Sequence, residues 1–358
     1  MSGRVFVIAE AGVNHDGSLD DARRMIDVAA AGGADAVKFQ TFRAEELVTR
    51  RAGKAAYQTR NTGEDGGQMA MLKALELDRD AHRALAAHSA ASGVRFMSTA
   101  FDLDSLAFLN TLDMPAVKIP SGDLTWGYML LEAARLDRPL IVSTGMASMD
   151  EIRDALSVIA FGLTRPGVPR DLEELKTALA SGEGQARLRE RVTLLHCTTE
   201  YPAPLADVNL RAMDVMAETF GLKVGYSDHT LGTSVAIAAV ARGATVIEKH
   251  FTLDRTRPGP DHAASLEPDE LTAMIAAIRE VETALGQAVK APSAVELPNR
   301  AIARRSLVAA RPIAAGEALS LDNLTAKRPA DGLSPMAVWP LLGQPANRAY
   351  DADEAIEA

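Results

Sequence analysis

Short runs rich in Val, Ile and Phe alternate with Ala- and Leu-rich stretches of helical period from the start of the chain to about residue 285. The spacing predicts strands at 5–10, 36–40, 94–99, 116–119, 140–143, 192–198, 223–226 and 245–251. Helices are expected between them, among them 20–31, ended by Gly32-Gly33, and 81–92, stopped by Gly93. Several strands are apolar on both faces, as parallel strands covered by helices must be. Eight such units over about 250 residues predict a (β/α)8 TIM barrel, with a doubly wound open sheet as the alternative. Two connections are oversized, 42–80 and 162–191. The first carries Tyr57, Gln58, Arg60 and Asn61 and suits an active-site lid; the second is charged and suits an added surface helix. The barrel pattern closes at 286, a Pro-bearing linker covers 287–298, and 299–358 is short-stranded and turn-rich, a small β-rich second domain.

Composition narrows the classes. A net charge of -10 over 358 residues argues against nucleic acid as a partner, because phosphate backbones need a basic face. No apolar run approaches the roughly 20 residues that span a bilayer, and the N-terminal residues lead into a strand without a signal-peptide pattern. The single cysteine, Cys197, excludes an intrachain disulfide framework and fits a reducing compartment. The expectation is a cytoplasmic protein.

In a barrel, functional groups belong at the carboxyl ends of the strands. Glu10, Asn14 and His15 stand at the first such end, and Lys38 and Gln40 share a face of the second. Thr99 closes the third, with Phe101 just beyond, and Lys118, Ser121 and Asp123 follow the fourth. Ser143 ends the fifth, His196 to Tyr201 the sixth, Ser227 and His229 the seventh, and Glu248 with His250 the eighth. Any one of these is an ordinary strand cap on its own. Together they are too many buried polar groups for packing to explain. Two lysines with several hydroxyls suit a phosphate-bearing anion. Two histidines with an open sphere suit a divalent Lewis acid, with Asp228 and Glu248 as acceptors orienting the rings. Glu10 and Asp123 offer carboxylates for hydroxyl groups or proton transfer. The set points to carbon–carbon bond chemistry on a sugar-like substrate. Neither Gly-x-Gly-x-x-Gly nor a P-loop occurs, which argues against dinucleotides and P-loop chemistry. A lyase using Lys118 as a Schiff-base nucleophile is one alternative, and a non-catalytic sugar-binding protein is another.

Seven stretches carry a resemblance along nearly the whole barrel: Ile8-Ala-Glu-Ala-Gly-Val-Asn-His15, Ala36-Val-Lys-Phe-Gln40, Val117-Lys-Ile-Pro-Ser-Gly-Asp123, Ser143-Thr-Gly-Met146, His196-Cys-Thr-Thr-Glu-Tyr-Pro202, Gly225-Tyr-Ser-Asp-His229 and Glu248-Lys-His-Phe251. Pro258-Gly-Pro-Asp-His262 belongs with them. The chain resembles the sialic acid synthase family, whose members condense phosphoenolpyruvate with an N-acylated hexose. Its tail, with Arg304-Arg-Ser-Leu307, Lys327-Arg-Pro329 and Gly332-Leu-Ser334, resembles the family's antifreeze-like (SAF) domain. The resemblance implies His229 and His250 as ligands of Mn2+ or Mg2+. It implies Lys38, Thr99, Lys118, Ser121, Ser143 and Ser227 as holding phosphoenolpyruvate. Glu10, Gln40, Asn61, Tyr201 and Asp261 would contact the sugar or position water, with Phe101 on the substrate side. Glu10 and Glu248 would handle protons. It further implies a homodimer in which one subunit's SAF domain covers the partner subunit's barrel mouth, with Arg328 meeting the substrate's acyl group. Two departures stand out: Asp123 where many members have glutamate, and Thr199 where neuraminate makers often have asparagine. The Thr-Thr-Glu-Tyr-Pro-Ala-Pro wording looks nearer to legionaminate makers than to pseudaminate makers. The acceptor is then N-acetylmannosamine or 2,4-diacetamido-2,4,6-trideoxymannose, with the pseudaminate route as the alternative.

Overall fold

A computed structural model describes residues 3–62 and 67–357. Eight parallel strands close on themselves in sequence order: β1 (Phe6–Gly12), β2 (Ala36–Thr41), β3 (Arg95–Ala100), β4 (Val117–Ile119), β5 (Leu140–Ser143), β6 (Val192–Cys197), β7 (Lys223–Asp228) and β8 (Val246–His250). β8 pairs back onto β1, so the sheet is a barrel and the open-sheet alternative falls. β1 and β7 each run two residues further than the apolar runs foretell. Pairing with parallel neighbours carries polar residues into the ladder that intrinsic strand preference would leave out.

The helices begin where their caps dictate. Ser18 caps Leu19–Ala31 and Asp78 caps Arg79–Ser92, each accepting a free N–H of the first turn. Ser148 and Glu151 form a reciprocal capping box for Met149–Thr164. The 42–80 connection folds into three short helices, Ala44–Leu47, Ala56–Thr62 and Gln68–Leu75. The 162–191 connection supplies two, Leu172–Ala180 and Gly182–Arg191, instead of the single helix expected.

The barrel interior explains where polar groups can stand. Ile8, Ala36, Met97, Ala116, Ile141, Leu195 and Val246 form a buried apolar layer inside the sheet. Side chains alternate across a strand, so the residue two positions on faces inward one layer higher. Those residues are Glu10, Lys38, Thr99, Lys118, Ser143, Cys197 and Glu248. On β7 the lower position is Gly225, where a Cβ would press on the Val246 carbonyl and the Leu195 side chain, and the next is Ser227. One turn of the pleat thus converts an oily floor into a polar chamber.

The chain divides into two compact units, Met1–Gly286 and Gln287–Ala358. The second holds helix Glu296–Ala303, which begins inside the stretch expected as linker, and an antiparallel pair, β9 (Ser306–Ala309) and β10 (Leu324–Lys327). Its core is thin: Leu307, Ala309, Ile313, Leu319, Leu324, Ala346, Tyr350 and Ile356. Among the described residues no helix is long and apolar enough to cross a membrane.

Candidate active site

The polar chamber opens into a cavity of about 350 Å3. At its base four buried charges alternate. Lys38 Nζ lies 2.6 Å from Glu10 Oε2 and 3.5 Å from Glu248 Oε2, and Lys118 Nζ lies 3.2 Å from Glu248 Oε1. Thr99 Oγ1 accepts from Lys38 at 2.9 Å, and Ser227 Oγ donates to Glu248 at 2.8 Å. The two carboxyls respond in opposite directions. Burial lifts Glu10 to about 7, outweighing the pull of Lys38. Burial also presses on Glu248, but Lys118 and Lys38 together outweigh it and hold that group well below the usual carboxylate range. Burial pushes the Lys118 ammonium down, only partly offset by Glu248, while Glu10 and Glu248 overcome the burial of Lys38 and raise it.

Beside this network lies a cradle of small polar groups. Gly145 N donates to Ser121 Oγ at 3.0 Å. A Cβ on Gly145 would sit 2.3 Å from Thr199 Oγ1, 2.8 Å from Ser121 Oγ and 2.9 Å from Cys197 Sγ, so only glycine lets the backbone approach. Ser143 Oγ and Thr199 Oγ1 are buried there without a hydrogen-bond partner among the described residues. Two ammonium groups with spare hydroxyls in one buried chamber suit a phosphate or carboxylate.

The histidines emerge together, as neighbouring parallel strands require. Their ring centres are 5.6 Å apart. His229 Nδ1 donates to the Thr198 carbonyl at 2.6 Å, which leaves Nε2 as an acceptor for the Tyr201 hydroxyl at 3.1 Å. Among the described residues His250 Nδ1 is buried without a hydrogen-bond partner, and it lies 3.8 Å from Asp261 Oδ2. Burial lowers His229 to about 4 and His250 well below its ordinary value, so both rings are neutral, the form that binds metals. Asp228 and Glu248 do not orient them, contrary to expectation. Asp228 faces the other side of β7 toward Lys249, and Glu248 is taken by the two lysines and Ser227. A backbone carbonyl does that work for His229. Among the described residues no cluster of three or more His, Cys, Asp or Glu forms a ligand set. An orphaned imidazole nitrogen beside a second neutral ring fits a divalent ion held by two protein ligands with its other positions open.

Fourteen of the residues singled out from sequence line this cavity: Glu10, Lys38, Gln40, Thr99, Phe101, Lys118, Ser121, Ser143, Tyr201, Ser227, His229, Glu248, His250 and Asp261. Three do not. Asp123 sits in the 3-10 turn Ser121–Asp123 and is lifted to about 6 by burial, but is not in the lining. Asn61 donates to the carbonyls of Pro260 at 2.8 Å and Tyr201 at 3.3 Å, latching Ala56–Thr62 over the mouth instead of entering the cavity. Arg328 is exposed, next after β10 in the small unit.

Apart from Phe101, the apolar part of the lining is not foreseen, although the 42–80 connection that supplies most of it is expected as a lid. Val13, Leu47, Val48, Met71, Leu72, Leu75 and Phe101 make an apolar wall, and Tyr57 packs on Tyr201 at 5.0 Å. Most of the wall belongs to the 42–80 connection, whose buried Leu72 and Leu75, one helical turn apart, join Val13 and Phe42 in a satellite cluster. That i, i+3 spacing was the one available signal.

Together these features define a (β/α)8 barrel whose polar cavity suits an anion beside paired neutral imidazoles. The chain belongs to the NeuB family, whose model matches residues 25–290, and a SAF domain model matches residues 304–358. It is 46% identical to the N,N'-diacetyllegionaminic acid synthase of Campylobacter jejuni over 99% of both chains. It is 44% identical to the enzyme of the same name from Legionella pneumophila, covering 94% of this chain and 89% of that one. Among solved structures, the N-acetylneuraminic acid (sialic acid) synthetase of Leptospira borgpetersenii matches with a TM-score of 0.69 at 31% identity, covering 83% of this chain and 90% of that one.

Proposed function

We propose that this chain joins phosphoenolpyruvate to the open-chain form of 2,4-diacetamido-2,4,6-trideoxymannose, giving N,N'-diacetyllegionaminate and phosphate. The observation that carries the reading is the alternating Glu10–Lys38–Glu248–Lys118 network beside two neutral imidazoles. Two relatives that cover nearly the whole chain bear the name of this activity. The apolar wall of the same cavity supports an acceptor that lacks a 6-hydroxyl and carries two acetyl methyls.

Lys38 and Lys118 hold the phosphate and carboxylate of phosphoenolpyruvate, with Ser121, Ser143 and Thr199 adding donors from the cradle. His229 and His250 would hold a divalent ion such as Mn2+ or Mg2+, and that ion would supply Lewis acidity to the reaction. C3 of phosphoenolpyruvate attacks the aldehyde carbon, and positive charge develops at C2 between the buried carboxylates. Glu248, held ionised by two lysines, stabilises that charge. Water adds at C2, and the tetrahedral centre collapses with cleavage of the carbon–oxygen bond to phosphate. Glu10, poised near neutrality, takes the proton from that water. Burial lifts Asp261 to about 6, which suits it to hydrogen-bond a sugar hydroxyl in either protonation state.

The active form is a cytoplasmic homodimer in which Arg328 of a second copy meets an acyl group at the cavity mouth. Support comes from the small unit itself. Val295, Leu297 and Ile302 are exposed on and beside helix Glu296–Ala303, and Arg300, Arg304 and Arg328 make no ion pair among the described residues.

The test is phosphate release from phosphoenolpyruvate with Mn2+ and one of three sugars: N-acetylmannosamine, 2,4-diacetamido-2,4,6-trideoxymannose, or its altrose isomer. Release with the second alone, abolished by EDTA, is the expected result. Release only with another sugar moves the chain to the neuraminate or pseudaminate route. Silence with all three, together with a borohydride-trapped keto-acid adduct on Lys118, returns the lyase reading.

A further inference from the structure

Directly behind the paired imidazoles lies a second ion pair that the chemistry above does not use. Lys249 Nζ stands 2.9 Å from Asp228 Oδ2, and both side chains are 0% exposed. The ammonium also donates to the Thr230 carbonyl at 2.5 Å. Asp228 Oδ1 in turn accepts from Thr230 N at 2.9 Å and Thr230 Oγ1 at 2.8 Å. Asp228 and Lys249 are register partners on β7 and β8, one residue before His229 and His250 respectively.

Packing does not account for this pair. An ion pair removed from water is commonly no more stabilising than apolar residues of the same shape. Apolar residues would also suit the outer face of these strands, where Tyr226 and Ile247 are buried in the main core. What an apolar pair lacks is selectivity for one register. Side chains alternate along a strand, so a slip of one residue between β7 and β8 would turn His250 out of the cavity and Lys249 into it. With Asp228 locked to Thr230 and Lys249 bridging to both, only the observed register satisfies all three groups.

We propose that Asp228 and Lys249 are a positioning pair that fixes the β7–β8 register and thereby the separation of the His229 and His250 rings. The pair acts through the imidazoles and touches no substrate. This rests on the reading of those two rings as metal ligands.

The test compares the wild type with Asp228→Asn/Lys249→Met, which removes both charges while keeping shape and the acceptor for Thr230. Mn2+ affinity is measured by the EPR signal of free ion, and the Co2+-loaded visible spectrum reports ligand geometry. The expected result is a folded protein with a melting temperature close to wild type, Mn2+ affinity weakened roughly 10–100-fold, and an altered Co2+ spectrum, the range typical for groups that orient ligands from behind. A folded double variant with wild-type Mn2+ affinity and spectrum overturns the proposal, leaving the pair a structural element only. Absence of Mn2+ binding by the wild type overturns both this proposal and the metal reading. Should the double variant not fold, Thr230→Val decides the matter, since it removes one of the bonds that aim Asp228. Weaker Mn2+ binding by folded Thr230→Val supports the proposal, and unchanged binding overturns it.

Discussion

The phenol ring of Tyr201 lies stacked on the imidazole of His229, ring centres 4.1 Å apart, and its hydroxyl donates to Nε2 at 3.1 Å. The contact keeps the ring's lone pair aimed at the cavity, yet occupies it. A ligand entering at Nε2 must displace the hydroxyl while keeping the stack. Tyr201→Phe is therefore expected to bind Mn2+ at least as tightly as wild type. Tyr201→Ala, which loses the stack as well, is expected to bind several-fold more weakly. Titration of free Mn2+ by EPR separates the two; equal loss in both would show that the hydroxyl, not the ring, supports the site.

Lys38 answers two carboxylates and Lys118 only one. Removing Lys38 leaves Glu10 and Glu248 buried against each other, a cost on the order of 3–5 kcal/mol for a broken buried pair. Lys38→Met is expected to lower the melting temperature more than Lys118→Met, and adding Glu10→Gln to Lys38→Met should recover much of that loss. None of the three variants should turn over phosphoenolpyruvate at the wild-type rate, because each lacks one of the anion's two ammonium donors. Thermal melts and phosphate release, run in parallel, check both halves.

Glu10 also sets a pH signature. Its folded value, lifted by burial from 4.5 to about 7, means that the folded protein keeps a proton the unfolded chain has released. Stability from this group is present at low pH and is lost as pH rises from 4.5 through 7. Depressed histidines work the other way: His15 and His229, both pushed by burial to about 4, cost stability as pH falls below 6.5. The raw profile mixes the two signs, so the informative quantity is a difference. The melting temperature of Glu10→Gln minus that of wild type, without metal, is expected to rise between pH 4.5 and 7 and to level off above. A flat difference would mean that Glu10 titrates in its ordinary range.

Most of the barrel is legible in the alternation of short apolar runs with stretches of helical period, and its polar chamber in the polar residues at the ends of those runs. Glu10, Lys38, Thr99, Lys118, Ser143 and Glu248 stand out as polar residues at apolar strand ends, and the fold brings them into one cavity. The outer faces of those strands were harder. Asp228 was read as an acceptor for histidine because adjacency in sequence stood in for adjacency in space, whereas its neighbour on the next strand, Lys249, takes it. The apolar wall was missed for another reason. Its helices, Ala44–Leu47 and Gln68–Leu75, are too short to show a clear apolar face, and tertiary packing rather than propensity makes them helical.

The latch over the mouth offers a graded test. Helix Ala56–Thr62 is tied down by half-buried Asn61, through the carbonyls of Tyr201 and Pro260, and by the exposed Arg60–Glu200 pair at 2.9 Å. An exposed ion pair contributes about 0–1 kcal/mol, whereas two buried carbonyls left without a donor cost more. Asn61→Ala is expected to raise KM for the sugar well beyond the change in Arg60→Ala, and to expose this helix to limited proteolysis. Matching small effects in both would place the latch elsewhere.

The apolar wall makes the sharpest statement about substrate choice. Leu72 and Leu75 come from one helix and meet Val13 and Phe42, with Met71 and Phe101 at the edge of the cluster. Leu72 and Leu75 offer a 6-hydroxyl no hydrogen bond, although Gln68 of the same helix also lines the cavity, so an acceptor whose 6-position rests on the leucines must leave a hydroxyl unpaired there, while a 6-methyl carries no such cost. Discrimination by a hydrophobic surface alone is limited to about 1–3 kcal/mol, or roughly 10–200-fold in kcat/KM. Leu72→Ser, which puts a hydroxyl into the wall, is expected to lower kcat/KM for the trideoxy sugar by about tenfold. The same variant should raise any activity with N-acetylmannosamine, so that the ratio of the two falls by more than either value changes. The sign of that ratio decides the matter: a variant that loses both sugars in equal proportion has lost packing, not selectivity.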